Sequence, residues 1–156
     1  MIRLARLEIP SPDAMRALGN RIAGVLKVGD LVLVGGELGA GKTTFAQGVG
    51  FGLGVRGPVT SPTFVIARVH PSLSDGPPLV HVDAFRLGGW DELEDLDLEA
   101  TLDQAVTVVE WGEGLAEGLG PDRLEVHIHR NSGDSGGEVR EVRITSVGDR
   151  WHGVDL

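Results

Sequence analysis

A four-residue aliphatic run, Leu31-Val32-Leu33-Val34, leads into Gly36-Glu37-Leu38-Gly39-Ala40-Gly41-Lys42-Thr43, and a helix-compatible stretch follows at once. This order constrains the chain more than anything else in it. A short, β-branched apolar run predicts a strand buried on both faces, the environment of a parallel sheet. The glycine-rich segment matches G-x-x-x-x-G-K-[ST] without a gap. In that pattern glycines let the backbone wrap around phosphate groups, and loop amides point inward as an anion nest. The next helix aims its N-terminal dipole at the same place. Glu37, Leu38, Gly39, Ala40, Gly41, Lys42, Thr43 and Thr44 are therefore the expected triphosphate-binding residues. Lys42 would reach the β- and γ-phosphates. The Thr43 hydroxyl would ligate Mg²⁺, and Thr44 would bond the α-phosphate.

Chance matches deserve weight in a chain with 24 glycines among 156 residues. The usage of basic residues argues against chance. Lys27 and Lys42 are the only lysines, against twelve arginines. Where a compact ammonium suits a phosphate cradle better than a guanidinium, this chain uses one of its two lysines.

The remaining sequence predicts alternating strands and helices. Residues 3–9 alternate as a strand. Ser11-Pro12-Asp13 opens a helix whose apolar face is Met15, Leu18, Ile22, Val25 and Leu26. A helix from about Lys42 to Phe51 follows the phosphate loop, and Gly50–Pro62 reads as an exposed loop. Thr63–Val69 and Leu79–Val82 read as strands joined across the proline-rich Pro71–Pro78. Trp90–Leu102 suggests two short helices, and Ala105–Val109 a buried strand. Leu124–His129 and Val139–Ile144 read as a closing strand pair around the loop Asn131–Gly137. Strand–helix units followed by strands predict an α/β fold: a three-layer P-loop NTPase-like domain over residues 1–156, with a mixed, mainly parallel central sheet and antiparallel additions.

In such a sheet, ligands gather at the carboxyl ends of strands. Asp83 ends one predicted strand and Glu110 another, so both are candidates to hold Mg²⁺ or its waters, the alternative being a cap on the next helix or turn. Thr60-Ser61-Pro62-Thr63 is a hydroxyl-rich loop where switch-type P-loop proteins sense the γ-phosphate.

Charge and composition narrow the function classes. The net charge of −9 disfavours unaided binding to a phosphate backbone. With no Cys there is no disulfide, thiol nucleophile or Cys-ligated zinc. No apolar run reaches the roughly 20 residues of a membrane span, and no signal-peptide pattern opens the chain, so a cytoplasmic protein is expected. His127 and His129 share a strand face, read as solvated rather than metal-binding. Six acids from Asp91 to Glu99 read as a solvated helix face or a docking surface for a basic partner.

Two P-loop classes fit poorly. The [NT]-K-x-D guanine motif is absent, which favours ATP over GTP. Arginines after Thr44, such as Arg56, Arg68, Arg86, Arg123 and Arg130, are scattered and form no kinase-type lid.

Four segments together resemble the TsaE (YjeE) family of bacterial P-loop ATPases. They are Gly36–Thr44, Ser61-Pro62-Thr63-Phe64, His81-Val82-Asp83-Ala84-Phe85-Arg86-Leu87 and Glu110-Trp111. That resemblance implies ATP and Mg²⁺ as cofactors, with Thr43 and Glu110 as metal ligands. It implies catalytic roles for Lys42, Asp83 and Glu110, switch-like roles for Ser61 and Thr63, and a place near the nucleotide for Trp111. It implies a slow ATPase required for N6-threonylcarbamoyladenosine at tRNA position 37, working with the TsaB–TsaD complex and meeting tRNA only through it. Phe85 and Gly112 depart from the family's Tyr and Pro. A nucleotide-driven binding module without essential hydrolysis and a small-molecule kinase remain alternatives. The residues leave the oligomeric state open and suggest only Ser11–Met15 as one wall of an adenine pocket.

Overall fold

The computed structural model describes residues 2–37, 40–57, 59, 67–84, 91, 94, 97–111, 119–120, 122–130 and 139–154. Seven strands form one sheet: β1 (Ile2–Ile9), β2 (Leu31–Gly36), β3 (Ala67–His70), β4 (Leu79–Asp83), β5 (Val106–Glu110), β6 (Arg123–Arg130) and β7 (Arg140–Val147). Helix α1 (Pro12–Ala23) lies between β1 and β2, α2 (Lys42–Leu53) between β2 and β3, and the short α3 (Glu99–Leu102) before β5.

The strand order is β1-β7-β6-β2-β5-β4-β3. The four central strands β6, β2, β5 and β4 run parallel. Antiparallel β7 and β1 extend one edge, and antiparallel β3 extends the other. The mixed sheet with a parallel centre is therefore as the sequence predicts. One expectation changes: β6 is not simply half of a closing hairpin, because it also pairs in parallel with β2. Burial explains why. Leu124, Val126 and Ile128 are fully buried on β6, and their apolar face completes the core beside β2.

Side-chain alternation divides the core in two. Val32 and Val34 of β2, Leu79 of β4, and Val106 and Val108 of β5 pack with α1 and α2. Leu31, Leu33, Val80, Val82 and Val109 form the opposite cluster with Leu98 and Leu119.

Ser11 caps α1 as expected, its Oγ accepting from the Ala14 amide at 3.1 Å. The helix stops at Ala23, earlier than the apolar spacing suggests. Val25 and Leu26 still pack on the core, but from a turn whose amides bond the carbonyls of Ile22 and Ala23. Helix α2 runs on to Leu53, and Val55 and Val59 are buried, so among its described residues Gly50–Pro62 is only partly the exposed loop that composition suggests. Both valines pack in the α1–α2 core, and their burial outweighs the turn-forming glycines around them.

Helices α1 and α2 touch through their backbones. A Cβ on Gly19 would lie 2.3 Å from the Phe45 carbonyl oxygen, and one on Gly48 2.1 Å from that of Arg16. Only hydrogen fits at these two crossings. The C-terminal segment closes the other end of the domain. Arg150 donates from Nε and Nη2 to the Asp30 carboxylate at 2.9 and 3.0 Å, and from Nη2 to the Val25 carbonyl at 2.7 Å.

Candidate functional site

The site grows from the end of β2. Gly36 has φ of +139°, and a Cβ there would sit 2.2 Å from the Ile128 carbonyl oxygen of neighbouring β6. Glycine is thus required where the chain leaves the sheet. It returns as α2, whose N-cap Gly41 supplies no side-chain cap and whose first turn holds no acid. Unsatisfied amides and the positive end of the helix dipole are left facing this loop.

Lys42 is the first residue of α2, and it is buried. Its Nζ donates to the carbonyl oxygens of Gly36 at 2.9 Å and Glu37 at 2.7 Å. The same ammonium lies 3.8 Å from the centroid of the Trp111 ring, a cation–π contact. Burial pulls the Lys42 pKa below its ordinary value, while the nearby carboxylates of Glu110, Asp83 and Glu37 push it back up.

The strand-end acids arrive through alternation. On β4, Leu79 faces α2, so His81 and Asp83 share that face. On β5, Val106 and Val108 face α2, and Glu110 follows them. Asp83 and Glu110 are direct neighbours across the parallel pairing. Glu110 is only 3% exposed and Asp83 8%, so both acids sit where a cation is strongly favoured. The Thr43 hydroxyl donates to the Glu110 carboxylate, 3.0 Å from Oε1 and 3.2 Å from Oε2. His81 Nε2 bonds Glu110 Oε2 as well. A hydroxyl and a carboxylate in contact are hard oxygen donors. They suit a divalent cation that keeps water and phosphate oxygens as further ligands, as Mg²⁺ does. Among the described residues, no three His, Cys, Asp or Glu gather into an all-protein metal cage.

Trp111 leaves β5 with φ of +62°, a rare conformation for a bulky residue. Its amide donates to the Val34 carbonyl at 2.8 Å, which holds the turn and keeps the indole beside Lys42.

A cavity of about 240 Å³ adjoins the loop. Ser11, Pro12 and Met15 line it from α1, Ala40, Gly41 and Thr44 from the loop and α2, together with Arg140. It is smaller than the roughly 300–1,000 Å³ of a whole small-molecule pocket, so it suits one moiety of a larger ligand. Strands β6 and β7 tether the loop from this side. Glu37 Oε1 accepts from the Arg130 amide at 3.2 Å, and His129 Nδ1 lies 3.2 Å from the same oxygen. Arg140 Nε donates to the Ala40 carbonyl at 3.1 Å.

The structure therefore brings together Glu37, Ala40, Gly41, Lys42, Thr43, Thr44, Asp83, Glu110 and Trp111. Leu38, Gly39, Ser61 and Thr63 lie outside the described residues. His127 and His129 share the less buried face of β6, and His129 pairs with Glu37. Asp91, Glu94 and Asp97 are exposed, in keeping with a solvated acidic face. Two site residues escaped the sequence reading. His81 could have been found, since it stands two positions before Asp83 on one strand face. Arg140 carried no such signal, because it meets the loop 100 residues away in sequence.

The profile of the family described as threonylcarbamoyl adenosine biosynthesis protein TsaE matches residues 9–141. The chain belongs to the TsaE family. It is 64% identical to the TsaE protein of Streptomyces coelicolor, over 91% of this chain and 97% of that one. It is 39% identical to that of Bacillus subtilis, over 90% and 85% of the two chains. The crystal structure of Bacillus subtilis YdiB superposes with a TM-score of 0.75 at 33% identity, covering 97% of this chain and 91% of that one. The fold is thus the P-loop NTPase-like fold of a TsaE protein, and these relatives are named for tRNA threonylcarbamoyladenosine biosynthesis. No helix among the described residues is long and apolar enough to cross a membrane.

Proposed function

We propose that this TsaE-family chain is a Mg²⁺-dependent ATPase of low intrinsic turnover, required for N6-threonylcarbamoyladenosine formation at tRNA position 37 and stimulated by the TsaB–TsaD complex. The observation that carries the reading is the meeting of Thr43, at the start of α2, with Glu110, at the end of β5, beside Lys42.

Each residue has a task in phosphoryl transfer to water. The loop amides, the N-terminus of α2 and Lys42 stabilise charge on the γ-phosphate as its bond to the β-phosphate breaks. Thr43 and Glu110 would hold Mg²⁺, which would supply charge neutralisation for the phosphates. Asp83, one strand over from Glu110, orients the attacking water and accepts its proton. Thr44 and the Ser11–Met15 wall take the α-phosphate and the adenine. Arg140 sets the mouth of that cavity through its bond to the loop. Arg140→Ala should weaken ATP binding by about 10–100-fold, in line with losing a charge-assisted hydrogen bond of roughly 1.5–3 kcal/mol, measured by calorimetry.

The deciding experiment is phosphate release from ATP with and without TsaB–TsaD. Stimulation by the pair is expected, and an unchanged rate would exclude the partner-dependent ATPase. Asp83→Asn separates hydrolysis from switching. The variant should bind ATP and the pair normally yet fail to support tRNA modification. Modification that persists without hydrolysis would instead favour an ATP-driven binding module.

A further inference from the structure

His81 is fully buried in the core between the sheet and α2. A polar ring placed there is costly unless its hydrogen bonds are met. Its Nε2 meets Glu110 Oε2, while its Nδ1 has no hydrogen-bond partner among the described residues. Burying this imidazole therefore gains one polar interaction, and that interaction is with the carboxylate beside Thr43.

We infer that His81 is a positioning residue for Glu110, fixing the carboxylate rotamer so that Oε1 is presented to the divalent cation at Thr43. The inference rests on the nucleotide and Mg²⁺ reading above. Nε2–H donates to Oε2, and Nδ1 makes no hydrogen bond among the described residues. Oε2 is thereby engaged, and Oε1, 3.0 Å from the Thr43 hydroxyl, is the oxygen left to face a metal. Without the ring, a Glu side chain at the end of β5 can rotate toward Lys42 or away from Thr43, since among the described residues only the Thr43 hydroxyl also holds Oε2. Partners that orient metal ligands typically change metal affinity about 10–100-fold when removed.

The test compares binding of the non-hydrolysable ATP analogue AMPPNP with and without Mg²⁺, by calorimetry, in wild type, His81→Leu and His81→Gln. In wild type Mg²⁺ should tighten binding. In His81→Leu metal-free binding should stay within about twofold, while the tightening by Mg²⁺ falls about tenfold or more. His81→Gln, whose side-chain amide can donate near the Nε2 position, should restore most of the tightening. An unchanged Mg²⁺ effect in His81→Leu overturns the inference. So does equal loss of metal-free and Mg²⁺-supported binding, which marks a merely structural residue. Wild type that binds no AMPPNP under either condition would instead overturn the underlying nucleotide reading. If His81→Leu does not fold, ¹⁵N–¹H correlation of the imidazole in the native protein decides. A ring protonated on Nε2 is expected, and a ring protonated on Nδ1 alone overturns the assignment.

Discussion

Lys42→Met should lower ATP turnover by about 10²–10³-fold, the usual loss when one preorganised transition-state donor is removed. Methionine keeps an unbranched side chain, one atom shorter, that can still pack against Trp111, whose ring centroid lies 3.8 Å from the ammonium. The substitution therefore removes charge and donors with little change in volume. Among the described residues, Lys42 is the cation bonded to the loop carbonyls of Gly36 and Glu37, and the carboxylates of Glu110, Asp83 and Glu37 all act on it. Lys42→Arg should not rescue turnover, because the planar guanidinium is larger and its donors form a rigid fork. Phosphate release in the presence of TsaB–TsaD measures the effect. A Met variant that keeps more than about a tenth of wild-type turnover, against the expected 10²–10³-fold loss, would remove Lys42 from the chemistry.

The second large effect concerns stability, and its sign is the informative part. Within a helix, Gly→Ala ordinarily stabilises by roughly 0.5–1 kcal/mol, because glycine loses more backbone entropy on folding. Gly48→Ala should do the reverse. A Cβ at this position of α2 would lie 2.1 Å from the Arg16 carbonyl oxygen and 2.8 Å from its carbonyl carbon. No rotamer relieves a clash between a Cβ and backbone, so α1 and α2 must separate and the packing between them must open. A loss of about 3 kcal/mol or more, the top of the overpacking range, is expected. For a chain of this size that corresponds to a fall in melting temperature of roughly 6–12 °C. A melting temperature at or above wild type would show that the helices do not meet through Gly48. The effect should reach the site too, since α2 carries Lys42 and Thr43 at its start and α1 carries Ser11, Pro12 and Met15 of the adjoining cavity.

Much of this protein is legible along the chain because its signals are local. The Leu31–Val34 run, the loop glycines and the Lys42–Thr43 pair lie within thirteen residues, and backbone sterics plus hydrophobic periodicity are enough to read them. The same holds for the Ser11 cap of α1 and for Asp83 and Glu110 as strand-end acids. Local signals failed where burial overrode composition. Val55 and Val59 follow a glycine-rich helix end yet pack in the core, and Val25 and Leu26 continue the apolar face of α1 after the helix has stopped.

By itself, then, the sequence determined a glycine-rich loop between a buried strand and a helix, and the side-chain types placed around it. The tertiary structure alone decided which distant groups complete the site. Alternation fixes the face on which a strand residue lies, but not which strand stands next to which. Placing β5 between β2 and β4 brings Glu110 to Thr43 across 67 residues and sets His81 and Asp83 beside it. Placing β6 and β7 on the other side of β2 brings His129, Arg130 and Arg140 to the loop. The close crossing of α1 and α2 belongs to the same category. Gly19 and Gly48 lie in different helices, and nothing local marks them as the places where two backbones meet.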